Sequence, residues 1–360
     1  MSSKIKHESA CPLCKENSYK LIYNQVRSSG NLTEYDLGQN LKNLDIVLCR
    51  FCGFLYRKEL WTDNEQKDYF TNEYKQVYKK KLIKNPHLYK KITQRKYMEN
   101  IQYVKKYIKK SNILKKDFYT EDEARNEIVI NILSKHINLK EKSILDIGCG
   151  AGGFLKQIRR FNMKKIIGIE PSQEHIDNLM KNSFSGVEYF QGTLKDFVEK
   201  NFQKFDIIVL NGVIKHFNFP VENLKYCNDL LKQDGLLYFN NGLEEPNFLI
   251  NVKKRVSIVA QNYFTFKTYL SLFKKTNFEK IYFQSNNHQA DFVLKKINNI
   301  NISNIRINKF EYNLLILKYA INKYMPEFFF LLNNFLYRFI RKYFSANKNI
   351  RYLSFNILKK

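Results

Sequence analysis

Two groups of residues in this chain have the types and spacing to do chemistry. The first is Ile144-Leu145-Asp146-Ile147-Gly148-Cys149-Gly150-Ala151-Gly152-Gly153-Phe154. It is a short apolar run, an acid, glycines at alternate positions and then an amphipathic segment. Glycine lets the backbone turn sharply and lets a ligand approach it closely. A turn of this kind aims free N–H groups at whatever sits there. Such junctions also bind dinucleotides, or simply turn the chain. The second group is two C-x2-C pairs, Cys11-Pro12-Leu13-Cys14 and Cys49-Arg50-Phe51-Cys52-Gly53, with 34 residues between them. Four thiolates in two knuckles suit tetrahedral zinc. Iron in the same four-sulfur site and a redox dithiol are the alternatives, although a redox pair would want a βαβ context. Cys11, Cys14, Cys49 and Cys52 would leave no open coordination position, so the metal is expected to be structural. Gly53 fits the turn after a knuckle, whereas the first knuckle has Lys15 there. Cys149 and Cys227 are left as packing residues.

The elements that must position the glycines can be read along the chain. A helix is expected over Asp122 to Ile137. The strand ending at Ile147 is followed by a helix with Leu155, Ile158 and Phe161 on one face. A second strand, Lys165-Ile166-Ile167-Gly168-Ile169-Glu170, ends in an acid about twenty residues beyond the glycines, where a βαβ unit places a carboxylate on ribose hydroxyls. Val187-Glu188-Tyr189-Phe190 is a third strand. Phe205-Asp206-Ile207-Ile208-Val209-Leu210 is a fourth, nearly all apolar as a strand covered on both faces should be. Gly235-Leu236-Leu237-Tyr238-Phe239 is a fifth, after a helix end at Leu230 to Asp234. Alternating strands and helices make an α/β fold with a doubly wound, mostly parallel sheet.

At these residues the chain resembles the class I S-adenosylmethionine-dependent methyltransferases. Leu145-Asp146-x-Gly148-x-Gly150-x-Gly152 is similar to their first motif, and the Asp before the glycines separates it from the nicotinamide fingerprint. Phe205 to Ile208, Val213-Ile214-Lys215-His216-Phe217-Asn218-Phe219-Pro220 and Leu230 to Leu237 resemble three further motifs, in order, over roughly residues 121–297. The resemblance implies a Rossmann-like seven-stranded sheet and S-adenosylmethionine as cofactor. It also implies roles. Gly148, Gly150 and Gly152 would pass beside the methionine part, with Asp146 orienting that loop. Glu170 would accept both ribose hydroxyls, Thr193 and Leu194 would meet the adenine, and Asn211 with Gly212 would face the sulfonium. The cysteine layout followed by Tyr69-Phe70-Thr71-Asn72-Glu73-Tyr74 resembles a subset with an N-terminal zinc-binding domain, including bacterial sugar and surface-glycan methyltransferases.

Methyl transfer needs alignment of an in-line attack and often removal of one proton. His216 follows the fourth strand and titrates near neutrality, so it is the candidate base. The resembling family often reads Leu-Glu-His here, and Lys215 in place of the acid weakens a two-residue mechanism. Tyr263 and His288 are weaker candidates. The Asn/Asp-Pro-Pro-aromatic signature of base amino-methylases is absent, since the place reads Leu210-Asn211-Gly212-Val213. The expected acceptor is an oxygen, or a carbon beside a carbonyl, on a sugar, nucleotide sugar or glycan precursor. An RNA methyltransferase and a non-catalytic scaffold on the same fold are the alternatives.

Composition bounds the partners. The 360 residues carry a formal charge of +27, which would normally raise nucleic-acid binding. Lysine far outnumbers arginine, and the joint richness in Lys, Asn, Ile, Tyr and Phe tracks an AT-rich genome, so nucleic acid is not the expected partner. The first ten residues are polar, no secretory leader is expected, and the cysteine usage fits a reducing cytoplasm. The expected organisation is a metal module over 1–62, a helical linker over 63–120, the methyltransferase domain over 121–297 and a basic amphipathic helical extension over 298–360. In the linker Tyr97, Ile101, Val104 and Ile108 recur at helical spacing. In the extension Glu327, Asn334, Arg338 and Arg341 form a narrow polar stripe after Pro326. That stripe fits burial or self-association, and it also fits peripheral contact with the inner face of a membrane.

Overall fold

The computed structural model describes residues 10–25, 44–73, 121–182, 185–200, 203–243, 260–285, 289–298, 306–313 and 315–316. Most of the expected linker, His288 and nearly all of the C-terminal extension lie outside the described residues.

The main sheet has seven strands. In chain order they are β4 (Ser143–Ile147), β5 (Lys165–Glu170), β6 (Val187–Gln191), β7 (Phe205–Asn211), β8 (Leu231–Gly242), β10 (Phe278–Ser285) and β11 (Gln289–Lys296). Their spatial order is β10-β11-β8-β7-β4-β5-β6. Strands β6, β5, β4, β7 and β8 run parallel, and β11 is antiparallel to both β8 and β10. The expected mostly parallel seven-stranded sheet is therefore present.

Alternation along the strands sends side chains to two faces. Ile144, Ile207, Val209 and Tyr238 meet Ile128, Ile132, Phe154 and Ile158 from α2 (Glu121–Ser134) and α3 (Gly153–Ile158). Leu145, Ile147, Ile208, Leu210 and Phe239 meet Leu224, Cys227, Tyr269 and Leu272 on the other face. Those four come from α6 (Pro220–Leu230) and α7 (Phe266–Lys275). Between α3 and α6 in sequence are α4 (Gln173–Lys181) and α5 (Leu194–Lys200).

Three boundaries differ from expectation. Helix α2 stops at Ser134, three residues early. Helix α3 tightens into a 3₁₀ turn at Arg159–Phe161, which closes on Asn162 at φ 50°. The segment Leu231 to Asp234, expected to end a helix, instead opens strand β8 with an irregularity, Asp234 turning at φ 62°. Leu231 pairs with Phe205, and Lys232 Nζ reaches Asp206 Oδ2 at 2.7 Å, so sheet pairing and an ion pair override helical propensity there. Lys232 and Ser143 converge on Asp206. Burial opposes its ionisation, but their hydrogen bonds hold the carboxyl down at about 2.

A second sheet holds the cysteines. Strands β1 (Tyr19–Gln25), β2 (Leu44–Cys49) and β3 (Leu55–Arg57) form an antiparallel meander, extended by β9 (Asn262–Tyr263). A strand from the middle of the chain thus completes the N-terminal sheet. Phe264, just after it, packs on Phe54 at 4.9 Å and stacks on Tyr269 at 4.6 Å. Cys11, Cys49, Phe54 and Tyr56 share one continuous core with the large sheet. Ile307 N–H bonds to the Phe51 carbonyl, and Leu315 and Ile316 pack beneath this module. Among the described residues, no helix is long and apolar enough to cross a membrane.

Candidate functional site

The carboxyl ends of β4, β5 and β7 bring most of the expected residues together. After Ile147 the chain turns through Gly148, Gly150 and Gly152 at φ 72°, 56° and 73°. At Gly152 an added Cβ would lie 2.5 Å from Leu179 Cδ2. At Gly150 it would meet nothing within 4 Å, so there the requirement comes from the backbone angle and the open space is left for a ligand. Gly148 abuts Val213 from the loop after β7. Gly148 and Cys149 N–H both bond to the Ile169 carbonyl, which ties the loop to β5.

Glu170 ends β5 and sits against this loop. Its Oε2 accepts the Gly150 N–H at 2.9 Å and its Oε1 accepts the Ser172 N–H at 3.0 Å. The side chain is pinned by backbone on both sides, with lone pairs left for further donors. His175 in α4 places Nδ1 3.5 Å from Glu170 Oε1, with its ring nearly buried. His175 escaped the sequence reading. A histidine five residues beyond the acid, on the first turn of a helix, was the available signal.

Asp146 lies behind the glycine loop and is 3 % exposed. Burial, reinforced by the Glu170 charge, pushes its carboxyl up to about 7. A carboxyl with a folded-state pKa above its unfolded value stabilises the fold fully below the unfolded pKa. That contribution disappears as pH rises through the folded value. The cofactor-free protein is therefore expected to lose on the order of 4 kcal/mol from this group between about pH 4 and pH 8. Thermal melts across that range check it. Asp146→Asn should flatten the slope, and an unchanged slope would assign the pH dependence to other groups.

Thr193 caps α5. Its N–H bonds to Asp196 Oδ2 at 2.9 Å and its hydroxyl accepts the Asp196 N–H at 3.2 Å. The Thr193 N–H and hydroxyl are thus engaged in a cap, at the place where the resemblance puts the adenine, while Leu194 is buried beside it. Asn211 ends β7, exposed at the sheet mouth. His216 follows in a 3₁₀ turn, Ile214–His216, half-buried with its ring 5.4 Å from Phe70. Tyr263 lies in β9, 3 % exposed, and packs with Ile46, Leu48 and Leu55 of the cysteine sheet. The β3–β9 pairing buries its ring in that core, so the expected catalytic placement is corrected, although Gln261 N–H and Asn262 Nδ2 beside it bond to the Lys215 and Phe217 carbonyls that flank His216.

A strap not foreseen from the sequence crosses the mouth. Thr62 and Glu65 form a capping box on α1 (Asp63–Asp68), which runs into a π turn, Tyr69–Glu73. The Thr-x-x-Glu spacing was its sequence signal. Gln66 Nε2 donates to the His216 carbonyl, and Asn218 Nδ2 donates to the Trp61 carbonyl at 2.6 Å. Thr71 Oγ1 donates to the Pro171 carbonyl at 3.1 Å, and Lys67 pairs with Asp196 at 3.0 Å. Trp61, Tyr69, Phe70 and His216 make a chain of ring contacts of 4.9 to 5.4 Å. The strap therefore spans from the β7 loop to the β5 loop and supplies an aromatic wall.

The four expected metal ligands converge. The sulfurs of Cys11, Cys14, Cys49 and Cys52 all lie within 4.8 Å of one another. Cys11 to Cys52 is 3.6 Å and Cys14 to Cys49 is 3.5 Å, against about 3.8 Å for the edge of a tetrahedron with metal–sulfur bonds of about 2.3 Å. Phe51 and Cys52 N–H point at Cys49 Sγ at 3.4 and 3.5 Å. Gly53 takes φ 70° after the second knuckle, and Lys15 takes φ 68° at the same place in the first. The donor set and spacing fit one four-coordinate thiolate-bound ion.

The methyltransferase-domain family profile matches residues 89–282, more than half of the chain. A tRNA U34 carboxymethyltransferase of Campylobacter concisus is 29 % identical over 161 residues, covering 43 % of this chain and 55 % of that protein. A ubiquinone biosynthesis O-methyltransferase of Actinobacillus pleuropneumoniae is 32 % identical over 116 residues, covering 30 % of this chain and 49 % of that one. The chain thus spans about half the length of these curated relatives. An S-adenosylmethionine-dependent methyltransferase structure from Mesorhizobium loti aligns over 46 % of this chain and 96 % of its own, at 11 % identity and a TM-score of 0.41. By the extent of the profile match, together with the strand order and the glycine loop, the chain belongs to the methyltransferase-domain family.

Proposed function

We propose that the chain is an S-adenosylmethionine-dependent methyltransferase acting on a small-molecule acceptor, a hydroxyl or carbon of a sugar, nucleotide sugar or surface-glycan precursor. Glu170 is the observation that supports the cofactor assignment. It is buried, pinned by Gly150 and Ser172 N–H, and still has capacity for two ribose hydroxyls. When bound, S-adenosylmethionine supplies a methyl group already activated on a sulfonium. The protein then has to align the acceptor and take up one proton. We assign alignment to the Trp61–Phe70 wall and Asn211, and the proton to His216. Gly148, Gly152 and Asp146 shape the loop beside the methionine part.

The loop Asn211-Gly212-Val213 favours oxygen over an exocyclic base nitrogen as acceptor. The ubiquinone relative, by name an O-methyltransferase, agrees with that chemistry. The formal charge of +27 and the tRNA relative support RNA as the second reading. The cysteine cluster is assigned a structural zinc ion, and clustered thiols of this kind suit a reducing cytoplasm. The test is transfer of labelled methyl from S-adenosylmethionine into native cell extract, separated into RNA, protein, lipid-linked and small-molecule fractions. Label in nucleotide-sugar or glycan material is the expected result. Label in RNA would replace the acceptor with the second reading, and label nowhere would remove the enzyme assignment.

A further inference from the structure

The second knuckle carries a cationic cleft whose lining includes none of the residues assigned above to methyl transfer. It has a volume of about 620 Å³ and is lined by Arg50, Arg306 and Lys309 together with Tyr312, Asn308 and neighbouring backbone. That volume lies in the range of pockets that take small ligands, about 300–1,000 Å³. Arg50 comes from the knuckle itself, between Cys49 and Cys52. Arg306 and Lys309 come from the segment that docks there through the Ile307 N–H to Phe51 carbonyl bond at 2.9 Å.

Two features of the cleft point to an anion. First, no carboxylate among the described residues pairs with Arg50, Arg306 or Lys309. The acid in the same segment, Glu311, faces elsewhere: its Oε2 is 2.9 Å from Lys267 Nζ and accepts the Asn308 N–H at 3.2 Å. Three like charges are therefore gathered without compensation. Second, both guanidinium groups are held on aromatic rings. Arg306 lies 5.3 Å from the Phe51 centroid, and Arg50 lies 5.9 Å from that of Tyr312. Ring contacts fix a guanidinium without neutralising it, which leaves it preorganised for an oxyanion.

We propose that this cleft binds the phosphate of a phosphorylated ligand, as a phosphomonoester or pyrophosphate. A single carboxylate would leave the three cations under-compensated. A phosphate brings about two charges and several oxygens, which match two planar guanidinium forks and an ammonium. The cleft exceeds one phosphate in size, so an organic group fits beside Tyr312. The ligand is either a soluble phosphorylated metabolite or a lipid phosphate headgroup.

The test uses the full chain with its metal, titrated by calorimetry with inorganic pyrophosphate. Saturable binding to one site is expected. The pair Arg306→Gln with Lys309→Gln should weaken it by about tenfold or more. That pair avoids Arg50, whose neighbours are the metal-binding cysteines. Its S-adenosylmethionine affinity should equal that of the unaltered protein, which separates this proposal from the methyl-transfer reading. A nucleoside diphosphate and phosphatidylglycerol vesicles are then compared. Charge-dependent binding of the first identifies a soluble ligand, and of the second a headgroup, and either supports the site. Absence of saturable pyrophosphate binding, or equal affinity in the double variant, would overturn it.

Discussion

Cys49→Ser is expected to lower metal content and to lower stability by about 4 kcal/mol or more, the range reached when a structural metal is lost. The size follows from where the cluster sits. Cys11 and Cys49 are fully buried, and Cys49 Sγ collects two backbone N–H groups. The surrounding Leu13, Val47, Phe54 and Tyr56 are continuous with Phe264 and Tyr269, so the cluster and the large sheet share one apolar core. Without a cation, four sulfurs within 4.8 Å cannot all be ionised, and burial together with its neighbours raises the Cys11 thiol. Metal loss should therefore loosen α7 and β9 as well as the knuckles. Elemental analysis and thermal melts check the prediction. One zinc per chain and an unchanged melting temperature in Cys49→Ser would contradict it.

Glu170→Ala is expected to weaken S-adenosylmethionine binding by about a hundredfold or more. Hydrogen bonds to a charged group contribute about 1.5–3 kcal/mol each, and two ribose hydroxyls are at stake. The substitution also leaves the Gly150 and Ser172 N–H groups without their acceptor, which frees the glycine loop. Glu170→Gln keeps one acceptor oxygen and should lose less. Both variants should retain their core, because the residues packed around β5, Ile167 and Ile169, are unaltered. Cofactor titration with a parallel melt reads the two effects apart. Affinity equal to the unaltered protein in Glu170→Ala would remove the ribose role.

Much of this was legible in the residues themselves. The glycine spacing and the acid about twenty residues on are local signals, and local signals survive because backbone angle and strand end are set nearby. The thiol pairs were legible for the same reason, since a knuckle is built within a few residues. Tyr263 was misplaced because its position depends on a pairing between β3 and β9, more than two hundred residues apart in sequence. The strap over His216 was missed for a similar reason. Its own signal, the Thr62–Glu65 box, announces a helix and says nothing of what the helix covers. Leu231 to Asp234 read as helix because leucine, lysine and glutamine favour one, and only the neighbouring strand β7 reverses that preference.

The junction of β4 and β5 is the proposed cofactor site. Calorimetric titration of the purified, metal-loaded chain with S-adenosylmethionine tests that most directly. The structure predicts one saturable site per chain, competed by S-adenosylhomocysteine and abolished or strongly weakened by Glu170→Ala. A folded, metal-loaded chain that binds neither molecule would contradict it, and would leave the fold as a scaffold without methyl-transfer chemistry.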